Sequence, residues 1–366
     1  MSTTAVELGT VLDFFNGKAP PNDEDGDFVV YGSNGTIGKA KSTNHENAII
    51  LGRVGAYCGS VEFCDEQFWA SDNTIVVKTK DGFDLKYMYY RLKSFPLRSY
   101  AGGAAQPLLT HTILRGVRLP VVKDKNRQAK IASILSSYDD QIENNRRRIQ
   151  LLEQAARLLY KEWFVHLRFP GHEHVKIIDG VPEGWEKKPL SEIADITMGQ
   201  SPKSIYYNQD GNGLPFHQGV TNFGVRFPSH ETYCTVQSRI GGPGDILFSV
   251  RAPVGRINIT PDKIVIGRGL AAIRSSCDQQ NYLFYALKSH FFKEDMIGGG
   301  AIFAAITKKD LYSVELMQPT DRITAMFMEH VLPIDLQIAN LQQTIERLAK
   351  ARDLLLPKLM TREVEA

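Results

Sequence analysis

The sequence predicts an α+β chain built twice over, with two similar globular domains and two long helices. Three observations predict it: an internal repeat, a pair of heptad stripes, and short β-branched runs broken by glycine turns. Tyr87-Met-Tyr-Tyr-Arg-Leu-Lys-Ser94 lines up with Tyr282-Leu-Phe-Tyr-Ala-Leu-Lys-Ser289, five identities in eight positions. Downstream, Gly103-Ala104 with Thr110, Leu114, Val117 and Leu119 matches Gly300-Ala301 with Thr307, Leu311, Val314 and Leu316. Upstream, Ile50, Leu51, Val54 and Gly59 match Ile246, Leu247, Val250 and Gly255. Ile142, Ile149, Leu152 and Leu159 match Ile338, Ile345, Leu348 and Leu355 at the same offset of 195 to 197. Helical periodicity alone explains the last segment but not the first three, so each half is one copy of a unit.

The elements follow in order. Residues 1–125 form a first globular domain, with Ser71–Lys78 as a strand and Tyr87–Lys93 as a short helix. Gly32-Ser-Asn-Gly35 marks a tight turn in it. Residues 126–168 form the first long helix. Its seam runs Ile131, Leu135, Tyr138, Ile142, Asn145, Ile149, Leu152, Ala156, Leu159 and Trp163, in steps of four and three. Arg168-Phe-Pro-Gly171 and Gly180-Val-Pro-Glu-Gly-Trp-Glu186 hold the breakers of a linker over 169–186. The second domain, 187–320, has a strand at Asp245–Arg251, a helix at Asn281–Ser289, and turns at Gly241-Gly-Pro-Gly244 and Gly298–Gly300. The second helix, 321–361, repeats the seam through Phe327, Val331, Ile334, Ile338, Leu341, Ile345, Leu348, Arg352, Leu355 and Leu359. Pro333 is expected to kink or delay it and Pro357 to disturb its last turn.

Composition bounds the function. Of 366 residues, 43% are apolar and 23% charged, which suits a soluble globular protein of about two domains and excludes wholesale disorder. Forty-three basic against 41 acidic side chains leave a net charge of +2, so any basic surface is local. Cys58, Cys64, Cys234 and Cys277 show neither disulfide nor zinc spacing. No signal peptide and no membrane span are visible, so a cytoplasmic protein is expected.

The search for catalytic chemistry returns absences. Gly32-Ser-Asn-Gly-Thr-Ile-Gly-Lys39 has five residues between Gly32 and Gly38 where a phosphate loop needs four, and Ala40 replaces the magnesium-binding hydroxyl. It reads as a glycine-rich turn. No Asn-Pro-Pro-aromatic run supports base methylation, Pro261-Asp262 lacks the nuclease triplet, and no Gly-x-Ser-x-Gly elbow supports a triad. His172-Glu-His174 reads as a solvated loop rather than a metal site. Recognition chemistry remains. Lys39, Arg53, Lys203, Arg226, Arg251, Arg256, Arg268, Lys308 and Lys309 lie among Asn, Gln, Tyr and Phe on loops. Such cations contact phosphates or guanine edges, and Asn or Gln reads adenine.

The chain resembles the specificity subunits of type I DNA restriction–modification systems over nearly its whole length. The likeness rests on Val30-Tyr-Gly-Ser-Asn-Gly-Thr-Ile-Gly38, Leu51-Gly-Arg-Val-Gly-Ala-Tyr-Cys-Gly-Ser60, Pro182-Glu-Gly-Trp185 and Pro243-Gly-Asp-Ile-Leu-Phe-Ser249. It rests also on the helices beginning near Gln128-Ala-Lys-Ile-Ala-Ser-Ile-Leu135 and Arg322. The resemblance implies a non-catalytic reader of double-stranded DNA without cofactor or metal. Its two target-recognition domains would each read half of a split, asymmetric site, and the long helices would pair antiparallel as a coiled coil with pseudo-twofold symmetry. Two modification subunits, and restriction subunits in the full complex, would supply methylation, translocation and cleavage. Leu158, Tyr160, Trp163 and Phe164, near the end of the first helix, are expected to pack against a modification subunit. The competing readings are a structural or regulatory coiled-coil protein without specific DNA recognition, and a self-sufficient DNA-modifying enzyme.

Overall fold

A computed structural model of the chain describes residues 4–21, 26–103, 106–291 and 305–361. The chain divides into two units, one of residues 1–147 with 341–366 and one of residues 148–340. The Gly298–Gly300 turn and the repeat positions Ala104, Gly300 and Ala301 lie outside the described residues.

In the first unit, strand β1 (Thr4–Glu7) leads through a single turn, α1 (Leu8–Val11), into β2 (Leu12–Asn16). The strands β3 (Phe28–Gly32), β4 (Gly35–Ala40), β5 (His45–Gly52), β6 (Val61–Ala70) and β7 (Thr74–Thr79) follow. Helices α2 (Leu85–Lys93) and α3 (His111–Gly116), strand β8 (Arg118–Val121) and the first part of the long α4 (Lys125–Tyr160) complete it. Six strands form one sheet in the order β2-β7-β5-β6-β3-β4, with β3 parallel to β6 and the other neighbours antiparallel. The run Ala48-Ile-Ile-Leu51 is apolar without a break because both faces of β5 are covered. Ile49 and Leu51 join Ile75, Val77, Tyr87, Met88 and Leu92 in one core, while Ala48 and Ile50 join Phe68 and Val76 in another. Asp84 starts α2, its carboxylate accepting the Tyr87 N–H at 2.7 Å.

The second unit repeats this plan. After short strands β9 (Ile177–Ile178) and β10 (Val181–Pro182) come β11 (Glu186–Pro189), α5 (Leu190–Ile193) and β12 (Ala194–Met198). Strands β13 (Tyr207–Asn208), β14 (Leu214–His217), β15 (Tyr233–Cys234), β16 (Ile240–Gly241) and β17 (Ile246–Ser249) follow. Then come β18 (Ile257–Ile259), β19 (Ile264–Ile266), β20 (Leu270–Ser275), α6 (Gln280–Phe291), α7 (Lys308–Tyr312), β21 (Glu315–Gln318) and α8 (Asp321–Thr361). The sheet order β12-β20-β17-β18 reproduces β2-β7-β5-β6. The parallel pair β14 and β19 reproduces β3 and β6, and β11 pairs with β21 as β1 pairs with β8. Register is kept too: Ile49 opposes Val77 and Ile246 opposes Ile273, each pair in the core against its unit's short helix. The structural repeat here therefore runs at an offset of 197, and Arg53, not Val54, is the counterpart of Val250.

Each unit holds part of both long helices, running in opposite directions. In the first, Ile131, Ala132 and Leu135 of α4 share a core with Leu356, Leu359 and Met360 of α8. In the second, Tyr160 stands 6.0 Å from Phe327, ring centre to ring centre. Each domain's short helix is tied to the long helix that follows it by the same bond. Tyr90 Oη donates to Asp139 Oδ2 and Tyr285 Oη to Asp335 Oδ1, both at 2.6 Å.

Three features depart from expectation. Helix α8 begins at Asp321 without delay and runs unbroken past Pro333 and Pro357, although each ring removes one helical N–H. Burial of Phe327, Val331, Ile338 and Leu359 on either side of them offsets that loss. The first helix passes at Lys161–Val165 into a π-helical turn. The breaker-rich stretch after it is not a free tether: Phe169 and Trp185 are buried in the second unit's core with ring centres 4.8 Å apart.

Candidate nucleic-acid interface

At one end of each core sheet, three loops meet in a node built from the same backbone bonds. In the first unit, Lys18 N–H donates to Ala70 O at 2.9 Å, Ser71 N–H to Tyr31 O at 2.9 Å, and Arg53 N–H to Asn73 O at 2.9 Å. In the second, Gln200 N–H donates to Ile266 O at 3.0 Å, Gly267 N–H to His217 O at 2.8 Å, and Val250 N–H to Gly269 O at 2.9 Å. A fourth bond closes each node, from Leu109 N–H to Arg53 O and from Ile306 N–H to Val250 O, both at 2.9 Å. The strands leave so little room that a Cβ on Gly17 would lie 1.9 Å from Ser71 O. The same atom on Gly199 would lie 2.1 Å from Gly267 O.

The backbone is common and the side chains are not. The first node presents Lys18, Gly32, Asp72 and Asn73 where the second presents Gln200, Gln218, Arg268 and Gly269. A fixed scaffold carrying different polar groups is what reading two different base sequences requires. In the second node Ser201 Oγ donates to Gln218 Oε1 at 2.7 Å and accepts from the Arg268 N–H at 3.1 Å. Gln218 and Ser201 were not among the expected site residues. Their sequence signal is weak, a Gly-Arg-Gly run at 267–269 whose purpose only the packing reveals.

The structure brings several expected cations to these nodes. Arg53 is half-buried within the first. Lys39 is exposed on β4, in the hairpin whose turn residue Ser33 donates to Asn73 O at 2.6 Å. Arg268 and Lys203 are exposed at the second node, Lys203 two residues after Ser201. Arg251 and Arg256 are exposed in the turn between β17 and β18, where Ser249 Oγ donates to Pro253 O and accepts from the Arg256 N–H. Lys308 and Lys309 are exposed at the start of α7, two and three residues beyond Ile306.

Arg226 departs from this pattern. Its side chain is 2% exposed, with Nε on Glu153 Oε1 at 2.6 Å and Nη1 on Asp335 Oδ1 at 2.9 Å. Nη2 donates to Tyr285 Oη at 2.9 Å, and the guanidinium lies 4.3 Å over the Phe284 ring. Burial pulls this guanidinium's pKa down, but Glu153, Tyr285 and Asp335 outweigh it and hold it above its ordinary value. Burial pushes the Glu153 carboxyl up, and Arg226 and Lys288 hold it below the usual range. Arg226 therefore fastens a domain loop to α4, α6 and α8, and its donors are not presented to DNA. In the first unit Asp139 finds its arginine on the second long helix, at Arg352. The repeat position of Arg352 in the first helix is Ala156, packed in the apolar core, so the cation for Asp335 comes from the loop instead.

The expected partner-binding aromatics are also largely internal. Tyr160, Trp163 and Phe164 are buried around Phe327 in the second unit's core; of the four residues only Leu158, 49% exposed, faces outward. His217, beside the second node, hydrogen-bonds His230 at 2.9 Å, which reaches Asp262 at 3.1 Å. Burial, and then the neighbouring His230, push the His217 pKa down to about 4. His172–His174 forms an exposed helical turn, and among the described residues no group of three metal-binding side chains occurs. Among the same residues no helix is long and apolar enough to cross a membrane.

The family model for the type I restriction modification DNA specificity domain matches residues 3–154 and again 182–348. A protein of Methanocaldococcus jannaschii, provisionally named the type I restriction enzyme MjaX specificity subunit, is 32% identical, over 86% of this chain and 75% of its own. The type I restriction enzyme MjaIX specificity subunit of the same organism is 29% identical, over 78% of this chain and 70% of its own. Among solved structures, the type I restriction–modification S subunit from M. genitalium superposes with a TM-score of 0.63 at 19% identity. It covers 98% of this chain and 96% of its own, a likeness of fold.

Proposed function

The chain belongs to the family of type I restriction–modification DNA specificity subunits, and on that premise we propose how it reads its target. The domain of residues 1–125 reads one half of a bipartite, asymmetric double-stranded site, and the domain of residues 187–320 reads the other. The observation that carries this reading is the duplicated loop node, one backbone arrangement bearing two sets of polar side chains. Lys39 and Arg53 on the first domain, and Lys203, Arg251, Arg256, Arg268, Lys308 and Lys309 on the second, supply positive charge for phosphates and base edges. Helices 126–168 and 321–361 set the spacing between half-sites and dock two modification subunits, with Leu158 among the contacts. The chain is non-catalytic; modification and restriction subunits carry out methylation, translocation and cleavage, in the cytoplasm with the DNA.

A spacer ladder tests it. Removing one heptad from both helices, after Leu152 and after Leu348, keeps the seam and shortens each by about 10.5 Å. At ~3.4 Å per base pair the preferred spacer shortens by about three pairs, with both half-sites unchanged. Twist rotates the second half-site by roughly 100°, so affinity falls even at the best new spacing. A folded variant with an unchanged preferred spacer refutes the ruler. A wild-type chain that prefers no duplex over random DNA by about 4 kcal/mol refutes specific reading altogether.

A further inference from the structure

We infer that Gln218 is a specificity-determining residue of the second domain, reading one adenine through the major groove. The inference rests on the proposed DNA-reading function and assigns it to an atom pair. Gln218 directly follows β14, and the loops around it fix its backbone on both sides. Gly267 N–H donates to His217 O at 2.8 Å, and Gly269 N–H donates to Gln218 O at 3.1 Å. Both glycines are required by this approach, since a Cβ on Gly267 would lie 2.8 Å from Gln218 Cα and one on Gly269 would lie 2.5 Å from Gln218 O.

The side chain is aimed as firmly as the backbone. Ser201 Oγ donates to Oε1 at 2.7 Å, so the oxygen end of the amide is pinned against the node. Ser201 is itself held by the Arg268 N–H at 3.1 Å. An amide oxygen has two acceptor sites and an amide nitrogen two protons. Among the described residues only Ser201 bonds this amide, so one acceptor site on Oε1 and the Nε2 protons are open to a ligand, while the residue itself stays exposed. Adenine offers the matching pair in the major groove, an N6 amino donor beside the N7 acceptor. A pre-aimed glutamine loses less side-chain freedom on binding than a mobile one, which favours a base contact over a casual surface position. Arg268 and Lys203, exposed beside it, hold the flanking phosphates. The first domain has Gly32 at the position of Gln218, so this contact belongs to one half-site only.

Selection from random duplexes with the full chain, repeated for Gln218→Ala and Gln218→Glu, tests the assignment. Wild type is expected to discriminate against other bases at one adenine of one half-site by about 10- to 100-fold. Gln218→Ala reduces that preference to under about threefold while the other half-site is unchanged. Gln218→Glu moves it toward cytosine, whose N4 amino group donates to a carboxylate. Arg268→Ala, by contrast, weakens all duplexes alike and lowers the salt slope by about one. A wild-type motif that survives Gln218→Ala at every position overturns the inference and leaves the proposed function standing. Loss of preference at guanine overturns the adenine assignment. A wild type that enriches no motif overturns the function and the inference together.

Discussion

Replacing Arg226 by alanine is expected to destabilise the second unit rather than only weaken DNA binding. Removing one partner of a buried ion pair costs about 3–5 kcal/mol, because the remaining charge stays in a poorly solvated place. Arg226, Glu153 and Asp335 have side-chain exposures of 2%, 10% and 13%. Neither carboxylate is wholly abandoned: Glu153 keeps Lys288 at 2.9 Å, and Asp335 keeps Tyr285 and Asn281. The loss therefore belongs at the lower end, about 3 kcal/mol. Pairing Arg226→Met with Asp335→Asn should recover part of it, since Glu153 then keeps Lys288 and no carboxylate is left without a cation. The assay is urea unfolding of the full chain in a Trp69→Phe background, which leaves Trp163 and Trp185, both in the second unit's core, as reporters. A loss below about 1 kcal/mol in a variant that no longer selects its DNA site would refute the reasoning and place Arg226 on the DNA surface.

Three further outcomes are expected. His217 has a folded pKa below its unfolded value, so the unfolded chain binds the proton first as pH falls; stability is complete above about 6.5 and declines until about 4. The loss over that window is about 3 kcal/mol, read from unfolding titrations at stepped pH, and a His217→Asn variant should lack that component of the slope. Gly17→Ala and Gly199→Ala force a methyl into a backbone carbonyl and should each destabilise their own unit by about 1–3 kcal/mol. Trp69 fluorescence reports the first and Trp163 with Trp185 the second, and an unchanged unfolding midpoint in either variant would contradict the close approach. Trp163→Glu should unfold the second unit by burying a charge, whereas Leu158→Glu should stay folded and co-purify less of the modification subunit.

Much of the architecture was legible in order along the chain. The repeat surfaced because core positions such as Tyr87, Leu92, Leu114 and Leu119 recur with Tyr282, Leu287, Leu311 and Leu316, and packing constrains such positions in both copies. The long helices showed themselves through a periodic stripe, a property of neighbours a few residues apart. Pro333 does not delay α8, which begins at Asp321, because burial on both sides of it, invisible to a local rule, holds the helix.

What the sequence by itself determined is therefore the duplicated α+β plan, the two helices with their seam, and the supply of basic and amide side chains. Only the tertiary structure decided what each polar side chain does. Arg226 and Arg268 are alike as residues on glycine- and aromatic-flanked loops. One meets Glu153 and Asp335, far away in sequence, and is buried; the other stands exposed beside Gln218. Tyr160, Trp163 and Phe164 suggested a surface for a partner, yet Phe327 of the other helix covers them. The physical reason is the range of the interactions. Periodicity and turn chemistry act over a few residues and leave a pattern in order, whereas desolvating a charge or closing a three-loop node depends on groups that only folding brings together.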